Sequence, residues 1–501
     1  MSETAPAYKE TTTKDLSKFF KLERTIHHLS ARPVIGIGIA AIFLAIVWLA
    51  THTITAGVEN QAFIVAAGVI GGYMALNIGA NDVANNVGPA FGAKSLTMVG
   101  ALIIAGIFET AGAVIAGGDV VQTISKGIID PAQVANSDIF LWAMMSALLA
   151  AALWINLATY FGAPVSTTHS IVGGVMGAGI AAAGISIVNW AVMAKIAGSW
   201  VISPVLGGIV AAIFLAFIKK NVLYQQDTIA AAKRWVPILI ALMAGVFAAY
   251  LSVKGLKKVW KPEPWMVALI GFGFLAATYA VVNPLIARRA SGMENTKKAI
   301  RGLFHLPLIC AAALLSFAHG ANDVANAVGP LAAIANSVST GAVAAAKVEI
   351  PTWVLFVGAA GITMGLMLFG PKLIRTVGNK ITRMNPMRAF CVALSAAITV
   401  IIASAMGLPV SSTHIAVGAV FGVGFLREYH TSRRGHINGG AKKTDRPPSK
   451  WDLLPSEEKS RRRKLVRRKY LWTIVAAWLI TVPLSAILAS GIYVGLRAFL
   501  G

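Results

Sequence analysis

An eleven-residue stretch occurs twice in this chain, and each copy is joined to a long apolar run. The first copy is Gly79-Ala80-Asn81-Asp82-Val83-Ala84-Asn85-Asn86-Val87-Gly88-Pro89. The second is Gly320-Ala321-Asn322-Asp323-Val324-Ala325-Asn326-Ala327-Val328-Gly329-Pro330, which departs from the first only where Ala327 replaces Asn86. Carboxylates and amides are costly in apolar surroundings unless they bind something or satisfy one another. Whatever the chain folds into must give both copies such a role.

The repeat extends past this motif. Pro164-Val165-Ser166-Thr167-Thr168-His169 recurs as Pro409-Val410-Ser411-Ser412-Thr413-His414, and glycine-rich apolar sequence follows both. A looser pair is Ser199-Trp200-Val201-Ile202-Ser203-Pro204 with Ala477-Trp478-Leu479-Ile480-Thr481-Val482-Pro483. The elements keep their order in both halves, as a duplicated unit requires.

The apolar runs are about 17–25 residues long, the length that crosses a hydrocarbon core as a helix. Only 13% of residues are charged, against about 25% in soluble domains. The chain therefore reads as an all-α polytopic membrane protein. Thirteen hydrophobic segments are expected, near 34–50, 62–78, 96–117, 139–160, 164–184, 191–218, 235–252, 265–287, 305–320, 352–370, 389–406, 408–426 and 471–498, some of them broken or re-entrant. Residues 1–32 carry no apolar segment with a cleavage site and are expected to be a tail, not a signal peptide.

The formal net charge of +24 raises nucleic acid as a partner. In a membrane protein, basic residues mark cytoplasmic loops facing anionic lipid, so membrane lipid is expected and nucleic acid is not. Matching loops of the two halves differ in charge. Loops 51–60, 119–138 and 185–190 are acidic or neutral, whereas their counterparts 288–301, 371–388 and 427–470 are basic. The last of these holds fifteen Lys or Arg, including Arg461, Arg462, Arg463 and Lys464, against five acids. By the positive-inside rule the halves are inverted, with the N-terminus inside and the C-terminus outside. The loop 253–264, with Lys254, Lys257, Lys258 and Lys261, is the exception.

The expected organisation is residues 1–60 as a tail plus an extra transmembrane helix and 61–218 as the first inverted repeat. Residues 219–304 form a basic linker with two extra helices, and 305–501 the second repeat, interrupted by a basic cytoplasmic loop at 427–470. Inverted repeats with broken or re-entrant helices that meet near the membrane midplane are a transporter plan. No ATPase signature accompanies it. In Gly88-Pro89-Ala90-Phe91-Gly92-Ala93-Lys94-Ser95, Ala93 separates the glycine from the lysine that a P-loop needs beside it. Cys310 and Cys391 lie in apolar runs and read as small core residues.

The candidate ion-coupling residues are Asp82, Asn85, Asp323 and Asn326. Residues three apart share a helix face. Their carboxylate and amide oxygens are hard ligands suited to a small cation such as sodium, and an intramembrane aspartate can equally carry a proton. The plainer reading, a pair of helix caps, loses ground because the copies are nearly identical. Glu109, inside the apolar segment 96–117, is a further coupling candidate or a hydrogen-bonded structural group.

Ser166, Thr167, Thr168 and Ser411, Ser412, Thr413 follow a proline and open a helix. Free amides, the positive dipole end and hydroxyl donors suit an oxyanion, and simple capping is the alternative. His169 and His414 do not make a catalytic triad, because adjacent residues on a helix seldom face each other. No enzyme activity is expected. Trp200 and Trp478 read as packing residues beside helix breaks at Pro204 and Pro483.

Together these motifs resemble the PiT family of inorganic phosphate transporters, over about 62–218 and 305–498. The resemblance implies an inverted-repeat fold, often dimeric, that imports phosphate using sodium or protons. It places Asn81, Asp82, Asn322 and Asp323 in the ion and phosphate site. The clusters Ser166–Thr168 and Ser411–Thr413 would contact phosphate, and Glu109 of Phe108-Glu109-Thr110 matches a glutamate of the family. The extra N-terminal segment and the loop 427–470 depart from the compact family pattern. The expected function is a symporter importing inorganic phosphate across the inner membrane. A sulfate permease, a passive anion channel and a non-transporting sensor are the alternatives.

Overall fold

The computed structural model describes residues 33–134, 136–161, 165–255, 261–340, 348–378, 384–437 and 469–500. The tail 1–32, Pro164, Lys257, Lys258 and the basic cluster from Arg461 to Arg468 lie outside them, as does the side chain of Trp478. The described residues are helical, with one isolated bridge between Ile129 and Val188.

The first half contains α1 (Pro33–Ile54), α2 (Gln61–Asn81), α3 (Ala84–Gly92), α4 (Met98–Ala116), a short α5 (Gly118–Gln122), α6 (Ser137–Tyr160), α7 (Thr167–Ala183) and α8 (Trp190–Ile218). Next come α9 (Thr228–Lys254), α10 (Pro264–Ala290) and the short α11 (Lys297–Gly302). The second half contains α12 (His305–Asp323), α13 (Ala325–Thr340), α14 (Thr352–Thr376), α15 (Pro386–Ala405), α16 (Ser412–Ile437) and α17 (Lys469–Leu500). The duplicated motif interrupts a helix in both halves: α2 gives way to α3 at Asp82–Val83, and α12 to α13 at Val324.

Eleven helices among the described residues are long and apolar enough to span a membrane. The two expected segments absent from that set are 164–184 and 408–426, which form α7 and α16. Helix α7 has 17 residues and is about 26 Å long at 1.5 Å per residue, short of the ~30 Å hydrocarbon core. Helix α16 runs into a charged C-terminal half. Both begin at buried threonine and serine residues, not at a membrane surface. The helices α8 and α17 run on through Pro204 and Pro483, so the expected breaks there do not occur.

Helix pairing crosses between the halves. α2 packs along α14, and reciprocally α12 packs along α4. α7 packs along α17, and α16 along α8. Close approach needs glycine at these crossings. A Cβ on Gly79 would strike the Ile362 carbonyl oxygen, and one on Gly320 would strike that of Glu109. Gly177 against Ala486 and Gly422 against Gly208 make the same kind of backbone contact in the other two pairs. Membrane helices gain from such contacts because lipid offers no hydrophobic driving force between helices. Helix α10 packs mainly on α9, and Leu269, Phe272 and Phe274 on it stay exposed, as a lipid-facing surface should.

Candidate functional site

The polar centre forms where the interrupted helices meet the starts of α7 and α16. Ser166 caps α7: its backbone is extended, its Oγ accepts from the His169 amide (3.2 Å) and the same Oγ lies 2.6 Å from His169 Nδ1. Ser411 accepts from the His414 amide at 3.4 Å. Capping frees the next hydroxyls to point at the motif residues.

Some of those contacts stay within one half and others cross between the halves. Asp82 accepts from Thr167 of α7 at 2.7 Å through Oδ2, and from Thr413 of α16 at 3.3 Å through Oδ1. Asn85 donates to Thr413 Oγ1 (2.9 Å). Asn326, its repeat counterpart, donates to Thr167 and Thr168 (3.1 and 3.2 Å). Ser412 donates to Asp323 Oδ2 at 3.2 Å. Every hydroxyl of the two helix starts except Ser166 and Ser411 thus bonds to a motif aspartate or, for Thr168, to the Val410 carbonyl at 3.0 Å.

Asn81 and Asn322 tie each motif to residues near a helix start. Asn322 donates to Ser404 Oγ (2.9 Å) and the Leu408 carbonyl (3.1 Å), and accepts from the Val410 amide (3.2 Å). With its amide oriented to satisfy both ends, Asn81 accepts from Thr159 Oγ1 (2.9 Å) and donates to Asp82 Oδ1 (3.1 Å) and the Val165 carbonyl (3.3 Å). Thr159 and Ser404 occupy matching places, and neither stood out in the sequence.

A second network is asymmetric. Glu109 is fully buried. Its Oε1 accepts from the Asn86 amide at 2.7 Å, and its Oε2 lies 2.7 Å from His319 Nδ1. The other ring nitrogen of His319 is 2.8 Å from Asp323 Oδ2, off the axis of a hydrogen bond. Ligand atoms of Asp82, His319 and Asp323 all lie within 4.8 Å of one another. A chain of polar contacts therefore runs from Asn86 through Glu109 and His319 to the centre. Its signal in the sequence was the mismatch between repeats: His319 stands opposite Ile78, and Asn86 opposite Ala327.

Two acceptors remain unsatisfied. Asp323 Oδ1 and Asn326 Oδ1 are buried without a hydrogen-bond donor among the described residues. Buried oxygens in that condition are destabilising unless a cation or donor meets them. Trp200 does more than pack. Its indole donates to the Pro409 carbonyl at 3.1 Å, and its ring stacks on His169 with centroids 3.7 Å apart.

A helical, multi-pass membrane protein with a buried polar centre assembled from two copies of one motif has the architecture of a membrane transporter. Residues 78–489 match the Phosphate transporter family, and the chain belongs to that family. It is 44% identical to a Helicobacter pylori J99 protein described as "Putative phosphate permease", over 91% of this chain and 95% of the relative. A Pyrococcus furiosus protein of the same description is 36% identical over 86% of this chain and 96% of its own. Among solved structures, one described as "The sodium-dependent phosphate transporter" aligns with a TM-score of 0.77 and 37% identity, covering 88% of this chain and all of that one. The chain is a membrane transporter by family and not an enzyme.

Proposed function

We propose that this protein is a secondary active symporter that imports inorganic phosphate across the cytoplasmic membrane, driven by a cation gradient. The observation that carries the reading is the centre itself. Asp82 is bonded from the helix starts of both halves, while Asp323 Oδ1 and Asn326 Oδ1 are left as uncompensated hard oxygens. The hydroxyl donors and helix N-termini suit an oxyanion, and the oxygens suit a small cation.

Phosphate is favoured over sulfate on chemistry. Monohydrogen phosphate keeps an O–H donor for a carboxylate acceptor such as Asp82 or Asp323, and sulfate has none. The coupling ion is assigned as sodium, with Asp82, Asn85, Asp323 and Asn326 as its ligands, and the structural relative is described as sodium-dependent. A proton is the second reading, favoured by the Glu109–His319–Asp323 chain of short contacts.

The halves 61–218 and 305–501 would act as inverted repeats joined by 219–304, with the basic loops inside. The reciprocal pairings of α2 with α14 and α12 with α4 support this. So does Lys254, from the loop that broke the charge pattern. Its Nζ lies 2.5 Å from Asp119, at the end of the molecule that carries the acidic loop 119–138.

The test is uptake of radiolabelled phosphate into proteoliposomes, with sulfate as competitor and with sodium and proton gradients imposed one at a time. Accumulation above the outside concentration under a sodium gradient alone is expected. Equilibration without accumulation would mean a channel, sulfate entry without phosphate would mean a sulfate permease, and no flux would mean a sensor.

A further inference from the structure

Three arginines from three separate elements gather at the end of the molecule away from the Lys254–Asp119 pair. Arg301 lies in the last turn of α11, Arg388 in the first turn of α15, and Arg427 about four turns up α16. Helices α15 and α16 form a tight hairpin with its bend at 406–411, so the start of α15 and the far part of α16 lie level with each other. α11 packs on α15, and the Phe304 and Phe390 rings meet with centroids 5.9 Å apart, which brings Arg301 to the same end.

All three side chains are half-buried. The charges of Arg301 and Arg427 both reach Arg388, and that of Arg301 reaches Arg427. Among the described residues, neither Arg301 nor Arg388 has an acidic partner within salt-bridge distance. The Nε of Arg301 is buried with no hydrogen-bond acceptor among those residues. Arg301 and Arg388 are like charges, partly desolvated and without an acidic partner there, which is destabilising, and a bound anion removes the penalty. Guanidinium groups pair bidentately with phosphate oxygens, and the dipole of α15 adds positive potential at its start.

We propose that Arg301, Arg388 and Arg427 form a second anion site, separate from the transport centre, that binds a phosphate group. That group is carried either by an anionic phospholipid of the adjoining leaflet or by free orthophosphate. Arg301, Arg388 and Arg427 belong to the basic stretches of the sequence, which attract phosphate groups from either source.

Two arms distinguish the sources. In the first, native mass spectrometry of the full chain compares retention of phosphatidylglycerol and phosphatidylcholine. Wild type is expected to hold phosphatidylglycerol at least about tenfold more tightly than the Arg301→Gln/Arg388→Gln variant, with phosphatidylcholine unaffected. In the second, orthophosphate is titrated calorimetrically into an Asp82→Asn background with and without the arginine substitutions. Binding that disappears with the arginines assigns the site to free phosphate. Equal phosphatidylglycerol retention together with no arginine-dependent orthophosphate binding overturns the proposal. Should the double variant not fold, as judged by size-exclusion profile, Arg301→Gln alone carries both arms with the same two readings.

Discussion

The His319 ring and the Glu109 carboxylate meet at 2.7 Å, one from each half of the chain, at a place where the halves do not match. The repeat gives Ile78 opposite His319 and Ala327 opposite Asn86, the other partner of Glu109. The centre around Asp82 and Asp323 follows the duplication, and this side network does not. The asymmetric network gives one side of the centre a buried carboxylate–imidazole contact that the other side lacks. Glu109→Gln preserves the shape of the contact and removes its charge. Phosphate uptake is expected to fall at least about tenfold while the protein remains in the membrane, because the fully buried carboxylate links Asn86 to His319. Uptake in proteoliposomes, normalised to protein by immunoblot, measures it.

Asp82→Asn and Asp323→Asn each replace one of the two carboxylates of the centre with an amide. Gradient-driven uptake is expected to drop to the level of empty liposomes in both, with membrane content unchanged. Wild-type uptake in both variants would remove these residues from the site.

Gly320→Ala places a Cβ against the backbone oxygen of Glu109. Overpacking against an immovable carbonyl costs about 1–3 kcal/mol. A lower Tm in detergent is expected, accompanied by weaker uptake because Glu109 must shift. Gly38→Ala is the control: its Cβ meets nothing within 4 Å, and its Tm should stay the same or rise slightly.

Trp200→Phe keeps the stack on His169 and removes the donor to the Pro409 carbonyl. An unsatisfied buried carbonyl costs about 1–3 kcal/mol. The expected outcome is a lower Tm and a raised phosphate KM, since Pro409 precedes the hydroxyls of α16. A wild-type KM with an unchanged Tm would show that the indole only fills space.

Sequence reasoning reached the centre because duplication marks it twice. Asp82, Thr167, Asn326 and Thr413 were found from the repeated motifs, and the structure brings them together. Thr159 and Ser404 escaped, since a lone hydroxyl at the end of an apolar helix looks like any other. Trp200 was read as packing because its Nε1 partner lies 209 residues away in the chain. The thirteen segments exceeded the eleven spanning helices because hydropathy reports length along the chain and not where a helix begins. Helices α7 and α16 start at buried hydroxyls inside the protein.

The glycine crossings carry a consequence for how the molecule can move. Backbone lies against backbone in α2–α14, α4–α12, α7–α17 and α8–α16, and each pair takes one helix from each half. At these glycines no side chain stands between the partners to repack if one slides. Swinging one repeat as a block against the other would therefore tear all four pairs at once. Bodies that keep all four contacts intact are chimaeras of the two halves, so a boundary of motion that spares them runs across the duplication and not along it.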